Sequence, residues 1–289
     1  MTLAHGSGVW DWHFQPHLDV WVPLVLMLGA YFYALRRWGP ARAAFGEPPA
    51  TAKQKRCFVL GVVVLWIASD WPVHDLSEDF LFSVHMVQHL LFTFVAPPLL
   101  LLGLPAWMVR PLLGNGLRFR VFRVLTRPLV ALLVFNATIA LTHWPTIVNL
   151  AVESEPAHLV LHATLLLTAL AMWWPVVPPL PETRSLSDPA KMLYLFLQSI
   201  VPTVPASFLT FANSPIYSSY EALPHPWISA VDDQMIAGLI MKVGGGLLLW
   251  AIITVMFFRW SAREQRGEVE TEITWEDFER DLEVWDLRK

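Results

Sequence analysis

The chain has 289 residues, 55% of them hydrophobic and only 15% charged, with a mean hydropathy of +0.47 and a formal net charge of -4. Soluble domains carry about a quarter charged residues, so the balance excludes an ordinary water-soluble domain and points to a polytopic membrane protein. The single cysteine, Cys57, excludes an intrachain disulfide, a CxxC redox pair, haem attachment through CxxCH and a thiolate metal cluster.

Seven apolar runs follow in chain order: Val20 to Leu35, Cys57 to Trp71, Ser83 to Val109, Pro128 to His143, Ala157 to Val176, Ala190 to Phe211 and Asp233 to Phe258. The first, second and fourth are short for a hydrocarbon core about 30 Å thick and must borrow flanking residues. The first begins after an acidic, histidine-bearing stretch and is followed by no small-residue cleavage site, so it is expected to stay as a span.

The basic residues set the direction of threading. Nineteen of the 20 lysines and arginines fall in four stretches: six between the first two runs, five between the third and fourth, two around the start of the sixth, and six after the last. The N-terminal segment and the other connections carry acids instead, among them Asp11, Asp75, Glu78 and Asp232. The expected fold is therefore all-α with seven transmembrane helices, N-terminus outside and C-terminus cytoplasmic. It divides into an extracytoplasmic segment 1–19, a membrane domain 20–258 and a cytoplasmic acidic tail 259–289. In that tail the spacing of Trp275, Phe278, Leu282 and Trp285 permits a short amphipathic helix.

Direction assigns depth to residues far apart in the chain. His85 and His89 in HMVQH enter from outside on the third run, and His158 and His162 in HLVLH on the fifth; each i,i+4 pair puts two imidazoles on one helix face. His143 ends the fourth run, His74 lies just beyond the second, and Asp232 and Asp233 open the seventh. These eight side chains are expected in one layer near the outer interface.

Neutral imidazoles suit copper, zinc, iron or nickel, and carboxylates can ligate directly or orient the second ring nitrogen. The preferred ligands are His85, His89, His158 and His162, with His143, Asp233 and Gln88 completing or bracing them. Met86, Met235 and Met241 add thioethers that tilt the choice toward copper, including Cu(I), although a methionine in so apolar a chain is commonly a packing residue. Helix-to-helix polar packing is the competing account of the histidines, and two of them on different helices can also hold a haem iron. His74 either caps its helix or receives metal from outside, while His5, His13 and His17 read as an exposed N-terminal collection. Lys242, the one basic residue inside a run, is expected to face the bundle, a wet cavity or a carboxylate such as Asp70, or else to snorkel.

Pro97 and Pro98 interrupt the third run, Pro145 follows Trp144, and Pro202 and Pro205 interrupt the sixth. Each removes a backbone donor and frees carbonyls inside the bundle. No nucleophile–base pair, nucleotide loop or soluble catalytic domain is visible, so the chain is not expected to be an enzyme.

HMVQHLLFTFVAPPLLLLGLPAW, THWP, HLVLH and DDQMIAGLIM together resemble the CtaG family of cytochrome c oxidase (caa3-type) assembly factors, over approximately Val20 to Phe258. The resemblance implies a multi-pass protein of the bacterial plasma membrane that assembles a haem-copper oxidase by delivering or inserting copper. Implied partners are oxidase subunit I or II and an extracytoplasmic copper chaperone, besides the lipid bilayer, with no nucleic acid; a homo-oligomer stays open. The family's histidine motifs fall on His85, His89, His143, His158 and His162, and its acid–glutamine motif on Asp233 and Gln234. Where the family carries an aromatic after methionine, this chain has Lys242 after Met241. Two other readings stay open: a metal-free scaffold for oxidase assembly, and a haem- or quinone-binding oxidoreductase.

Overall fold

A computed structural model describes residues 10, 12–42, 48–181, 183, 185–267 and 279–280. His5, Asp11 and the tail positions Trp275, Phe278, Leu282 and Trp285 lie outside the described residues. Hydrocarbon offers a backbone no water to bond, which favours helices that close their own ladders, and the described residues contain helices and no strand.

Besides a single turn at Gly39–Arg42, they are in chain order α1 (Leu18–Arg37), α2 (Ala52–Ser69), α3 (Val73–Asp79), α4 (Phe82–Gly103), α5 (Ala106–Leu113), α6 (Leu117–Leu125) and α7 (Pro128–Thr142). They continue as α8 (Pro145–Glu153), α9 (Glu155–Trp173), α10 (Asp188–Ile200), α11 (Thr203–Phe211), α12 (Ser218–Glu221) and α13 (Ala230–Gln265). Six stretches are long and apolar enough to cross a membrane: α1, α2 with α3, α4, α9, α10 with α11, and α13. A seventh exists if α7 is counted with α6, from which it bends by 75°. The molecule is thus an all-α, polytopic membrane protein. None of α6 is buried and three of its nine residues are arginines, a pattern suited to lying in the membrane surface.

Local chemistry starts these helices. Thr51 accepts from the Gln54 amide at 3.1 Å while the Gln54 side chain accepts from the Thr51 amide at 2.9 Å, closing a capping box on α2. Pro128, Pro145, Pro156 and Pro189 stand in first turns, where a missing N–H costs nothing.

Prolines also explain where the helices depart from the expected runs. The run Ser83 to Val109 is two helices, because Leu104 precedes Pro105 and takes the extended conformation that a following proline imposes. The run Ala190 to Phe211 breaks at Pro202, between α10 and α11. Pro97 and Pro98 do not break α4; the turn before them, Leu91–Val95, widens to π geometry. The Thr93 carbonyl would meet an amide four or five residues on, and both positions are proline. Trp173 fills that vacancy, its indole donating to Thr93 O at 2.8 Å and tying α9 to α4. Trp173→Phe is therefore expected to cost about 1–3 kcal/mol, measured as a lower Tm in detergent; an unchanged Tm would mean that this carbonyl needs no donor.

A second π turn, Ile240–Gly244, interrupts α13. It brings Gly244 and Gly245 against Leu90 and Phe94 of α4, where an added Cβ would lie 3.2 to 3.4 Å from those side chains. Met241 turns inward and Lys242 turns out, exposed on the helix surface. Lys242 therefore does not face the bundle, and Asp70 is engaged elsewhere, accepting the indoles of Trp21 at 2.8 Å and Trp66 at 2.6 Å.

Two apolar clusters form the core. One joins α4, α7, α9, α10 and α13 through residues such as Phe135, Leu165, Trp173 and Tyr194. The other joins α1, α2 and α4 through Tyr31, Phe58, Val62 and Leu100. At Gly103 the α2 and α4 backbones touch: a Cβ there would sit 2.5 Å from the Phe58 nitrogen. Helix α4 belongs to both clusters and is the central wall on which the histidines are mounted.

Candidate metal centre

Helices α4 and α9 each present one i,i+4 histidine pair, and the packing turns the two pairs toward each other. His85, His158 and His162 offer ring nitrogens that all lie within 4.8 Å of one another. His89 joins them, its ring centroid 4.4 Å from His85, 5.2 Å from His162 and 5.7 Å from His143 at the end of α7. The five rings line a cavity of about 120 Å³.

Fixed acceptors decide where the protons sit. The Ile139 carbonyl can only accept, so His143 Nδ1, 2.8 Å away, carries its proton and Nε2 is left as a lone pair. Glu78 acts similarly on His158: its Oε1 lies 3.0 Å from Nδ1, which leaves His158 Nε2 as a lone pair facing His162 Nε2 at 2.9 Å. A carboxylate bonded to the far nitrogen fixes the ring and strengthens the near one as a donor to metal.

Several nitrogens have no partner at all. His143 Nε2, His85 Nδ1 and both nitrogens of His89 are buried without a hydrogen bond. An unsatisfied buried polar atom costs about 1–3 kcal/mol, so interhelical hydrogen bonding accounts poorly for this cluster, whereas a cation would satisfy several atoms at once. The donor set fits a transition metal. Two nitrogens on one such ion stand about 3.3 Å apart for metal–nitrogen bonds near 2.0–2.1 Å. The His158–His162 contact must therefore open by a few tenths of an ångström on loading, with the bridging hydrogen moving to Nδ1 of His162 so that its Nε2 can ligate.

Of the carboxylates and amides expected in this layer, Asp233 and Gln88 brace α4 behind the rings. Asp233 is 2% exposed, and both its oxygens are consumed at the start of α4, Oδ2 by the Phe82 amide at 2.6 Å and Oδ1 by the Ser83 amide at 3.0 Å. It caps that helix, where a negative charge is favoured, and is not in the ring cluster. Asp232 is exposed and pairs with Ser229 at the start of its own helix, so it leaves the expected layer. Gln88 donates to the Ala68 carbonyl at 2.6 Å, tying α4 to α2. Gln234 accepts the Ile216 amide at 2.6 Å and holds the loop after α11. Of the methionines, Met235 is exposed. Met86 lines the main cavity, and with Met241, His89 and His143 it also lines a smaller one of about 20 Å³.

The sequence reading did not single out Glu78. Its spacing from His74 in HDLSE was a usable signal, since two residues four apart share a helix face, and the structure forms that pair with His74 Nε2 at 3.5 Å. Tyr220 on α12 was missed as well. It closes the cavity from outside, and burial, reinforced by Glu78 and Asp233, pushes its phenol up, so it stays a neutral donor to the Ser77 carbonyl. Removing the carboxylate by Glu78→Ala is expected to weaken metal binding about 10–100-fold, with a smaller loss for Glu78→Gln, which can still accept from His158. Competition titration against a chelator reads this directly, and equal affinities for both variants and wild type would remove Glu78 from the site.

The family described as cytochrome c oxidase caa3 assembly factor (Caa3_CtaG) matches residues 29–263. The chain is similar to proteins of Mycobacterium bovis and Mycobacterium tuberculosis, both described as uncharacterised, at 24% identity over 205 residues, covering 64% of this chain and 31% of theirs. A likewise uncharacterised protein of Mycobacterium leprae is 22% identical over 231 residues, covering 73% of this chain and 35% of its own. The chain thus spans about a third of the length of the curated relatives it matches. No solved structure matches it. The family match takes in α4, α7 and α9, the helices that carry all five pocket histidines, and on it the chain belongs to the CtaG-type family of caa3 cytochrome c oxidase assembly factors, non-enzymatic multi-pass proteins of the bacterial inner membrane.

Proposed function

We propose that the chain binds copper in the pocket of His85, His158 and His162 and delivers or inserts it into a haem-copper oxidase at the outer side of the membrane. The observation that carries this is the convergence of three imidazoles from two helices, within 4.8 Å, beside buried lone pairs on His89 and His143. Imidazole with nearby thioether from Met86 and Met241 suits copper, Cu(I) included, and disfavours magnesium or calcium. Ring centroids only 4.2 to 5.8 Å apart leave no slot for a porphyrin plane between them, which argues against haem.

The distribution of basic residues supports seven spans with the N-terminus outside, an outer segment 1–19, a membrane domain 20–258 and a cytoplasmic tail 259–289. In that orientation the pocket opens toward the outer face, where an extracytoplasmic chaperone would load it and oxidase subunit I or II would unload it. The test is transfer: protein loaded anaerobically with Cu(I) is mixed with copper-free oxidase, and metal is measured on each after separation. Copper is expected to move to the oxidase. Copper retained on a fully loaded carrier would reject delivery, and capture of the oxidase by the metal-free protein would then favour the scaffold reading.

A further inference from the structure

Outward of the pocket lies a second group of metal-binding side chains. His17, just before α1, places Nε2 2.8 Å from Asp75 Oδ1, and its ring stands 4.9 Å from that of His74. His74 Nε2 is 3.5 Å from Glu78 Oε1, and the same oxygen is 3.0 Å from His158 Nδ1. The rings of His74 and His158 are 6.3 Å apart. Imidazoles and carboxylates therefore run without a gap from the N-terminal segment, across α3, to the pocket on α9.

Two atoms in this group lack a partner. Asp75 is 8% exposed, and its Oδ2 is buried with no hydrogen bond, as is His74 Nδ1. A purely structural clasp between the N-terminal segment and α3 needs the His17–Asp75 contact and explains neither atom. Glu78 at 37% and His74 at 23% side-chain exposure are the open members of the group, His17 at 17% and Asp75 at 10% stand behind them, and His85 Nδ1 and both His89 nitrogens are buried.

We propose that His17, His74, Asp75 and Glu78 form an outer acceptor site for a transition-metal cation, which passes by ligand exchange through Glu78 to His158 and the inner pocket. The proposal rests on the metal-carrying reading of that pocket. Mixed imidazole and carboxylate donors accept borderline cations of the kind that an all-imidazole pocket also takes. Two carboxylates offset the charge of an ion arriving from water. The shared reach of Glu78 lets the ion gain His158 as it loses His74, once the His158 proton shifts from Nδ1 to Nε2, where His162 accepts it, so that the ion is not stripped of ligands on the way inward.

Three chains purified in detergent test this with Cu(I) supplied anaerobically from a coloured chelator: wild type, the outer variant His17→Gln/His74→Gln and the inner variant His85→Ala/His162→Ala. The outer variant is expected to reach the same inner-pocket occupancy at least about tenfold more slowly, and the inner variant to retain one ion. Asp75→Asn, which keeps an acceptor for His17, is expected to slow filling too and covers the case in which the double variant fails to fold. Filling at the wild-type rate in the outer variant and in Asp75→Asn, or loss of all copper in the inner variant, would overturn the outer site while leaving the pocket standing. A wild-type chain that takes up no copper would instead overturn the pocket reading itself.

Discussion

His85→Ala/His162→Ala is expected to lower the Cu(I) affinity of the inner pocket by roughly four orders of magnitude while leaving the chain folded. Binding free energies of about 10–16 kcal/mol spread over four ligands give roughly 3 kcal/mol for each, so two lost ligands cost about 6 kcal/mol, or about 10⁴ in Kd. The fold should survive because these rings contribute little hydrogen bonding: His85 Nδ1 has no partner, and His162 is held only through His158. His89→Ala alone should cost less, since His89 lies beside the trio that closes within 4.8 Å. On loading, the hydrogen between His158 and His162 moves to the far nitrogen of the His162 ring, so no proton is released where the imidazoles are neutral. Log affinity should therefore be nearly flat with pH there and fall at lower pH, where protons compete for the rings. Anaerobic titration against a competing chelator at several pH values measures both effects. Wild-type affinity in the double variant, with an unchanged Tm, would place the metal elsewhere.

The elements legible in the sequence are those that depend on local spacing. Apolar runs announce themselves because lipid demands them, and the two HxxxH pairs because i,i+4 places rings on one face. Their meeting required neighbour relations that no spacing contains. The role of Asp233 was hidden for the same reason: the amides it caps lie 150 and 151 residues away. Pro97 and Pro98 marked an unpaired carbonyl at Thr93 but could not name Trp173 as its donor. Lys242 was misplaced because a π turn adds one residue to a helical turn and rotates the face that follows. The adjacent Gly244-Gly245-Gly246 was the one local hint. His17 looked like a loose N-terminal residue because Asp75, its partner, belongs to a short helix beyond the next span.

Asp233→Ala is expected to be the most damaging single substitution to the fold, at about 3–5 kcal/mol, since it leaves two buried amides that each bonded an ionised oxygen. For a domain of this size that is a fall in Tm of roughly 10 °C, measurable by thermal unfolding in detergent. Asp233→Asn should fall between, because its amide oxygen can accept from one of the two N–H groups while its NH₂ opposes the other. The two readings of this residue separate on metal binding. As a ligand, Asp233 would take much of the affinity with it in the asparagine variant. As the cap seen here it should leave copper stoichiometry intact wherever the variant folds, with only the modest loss that follows from a looser first turn of α4, the turn that sets His85 one helical turn beyond Phe82. A large loss of copper at an unchanged Tm in Asp233→Asn would return the carboxylate to the coordination shell.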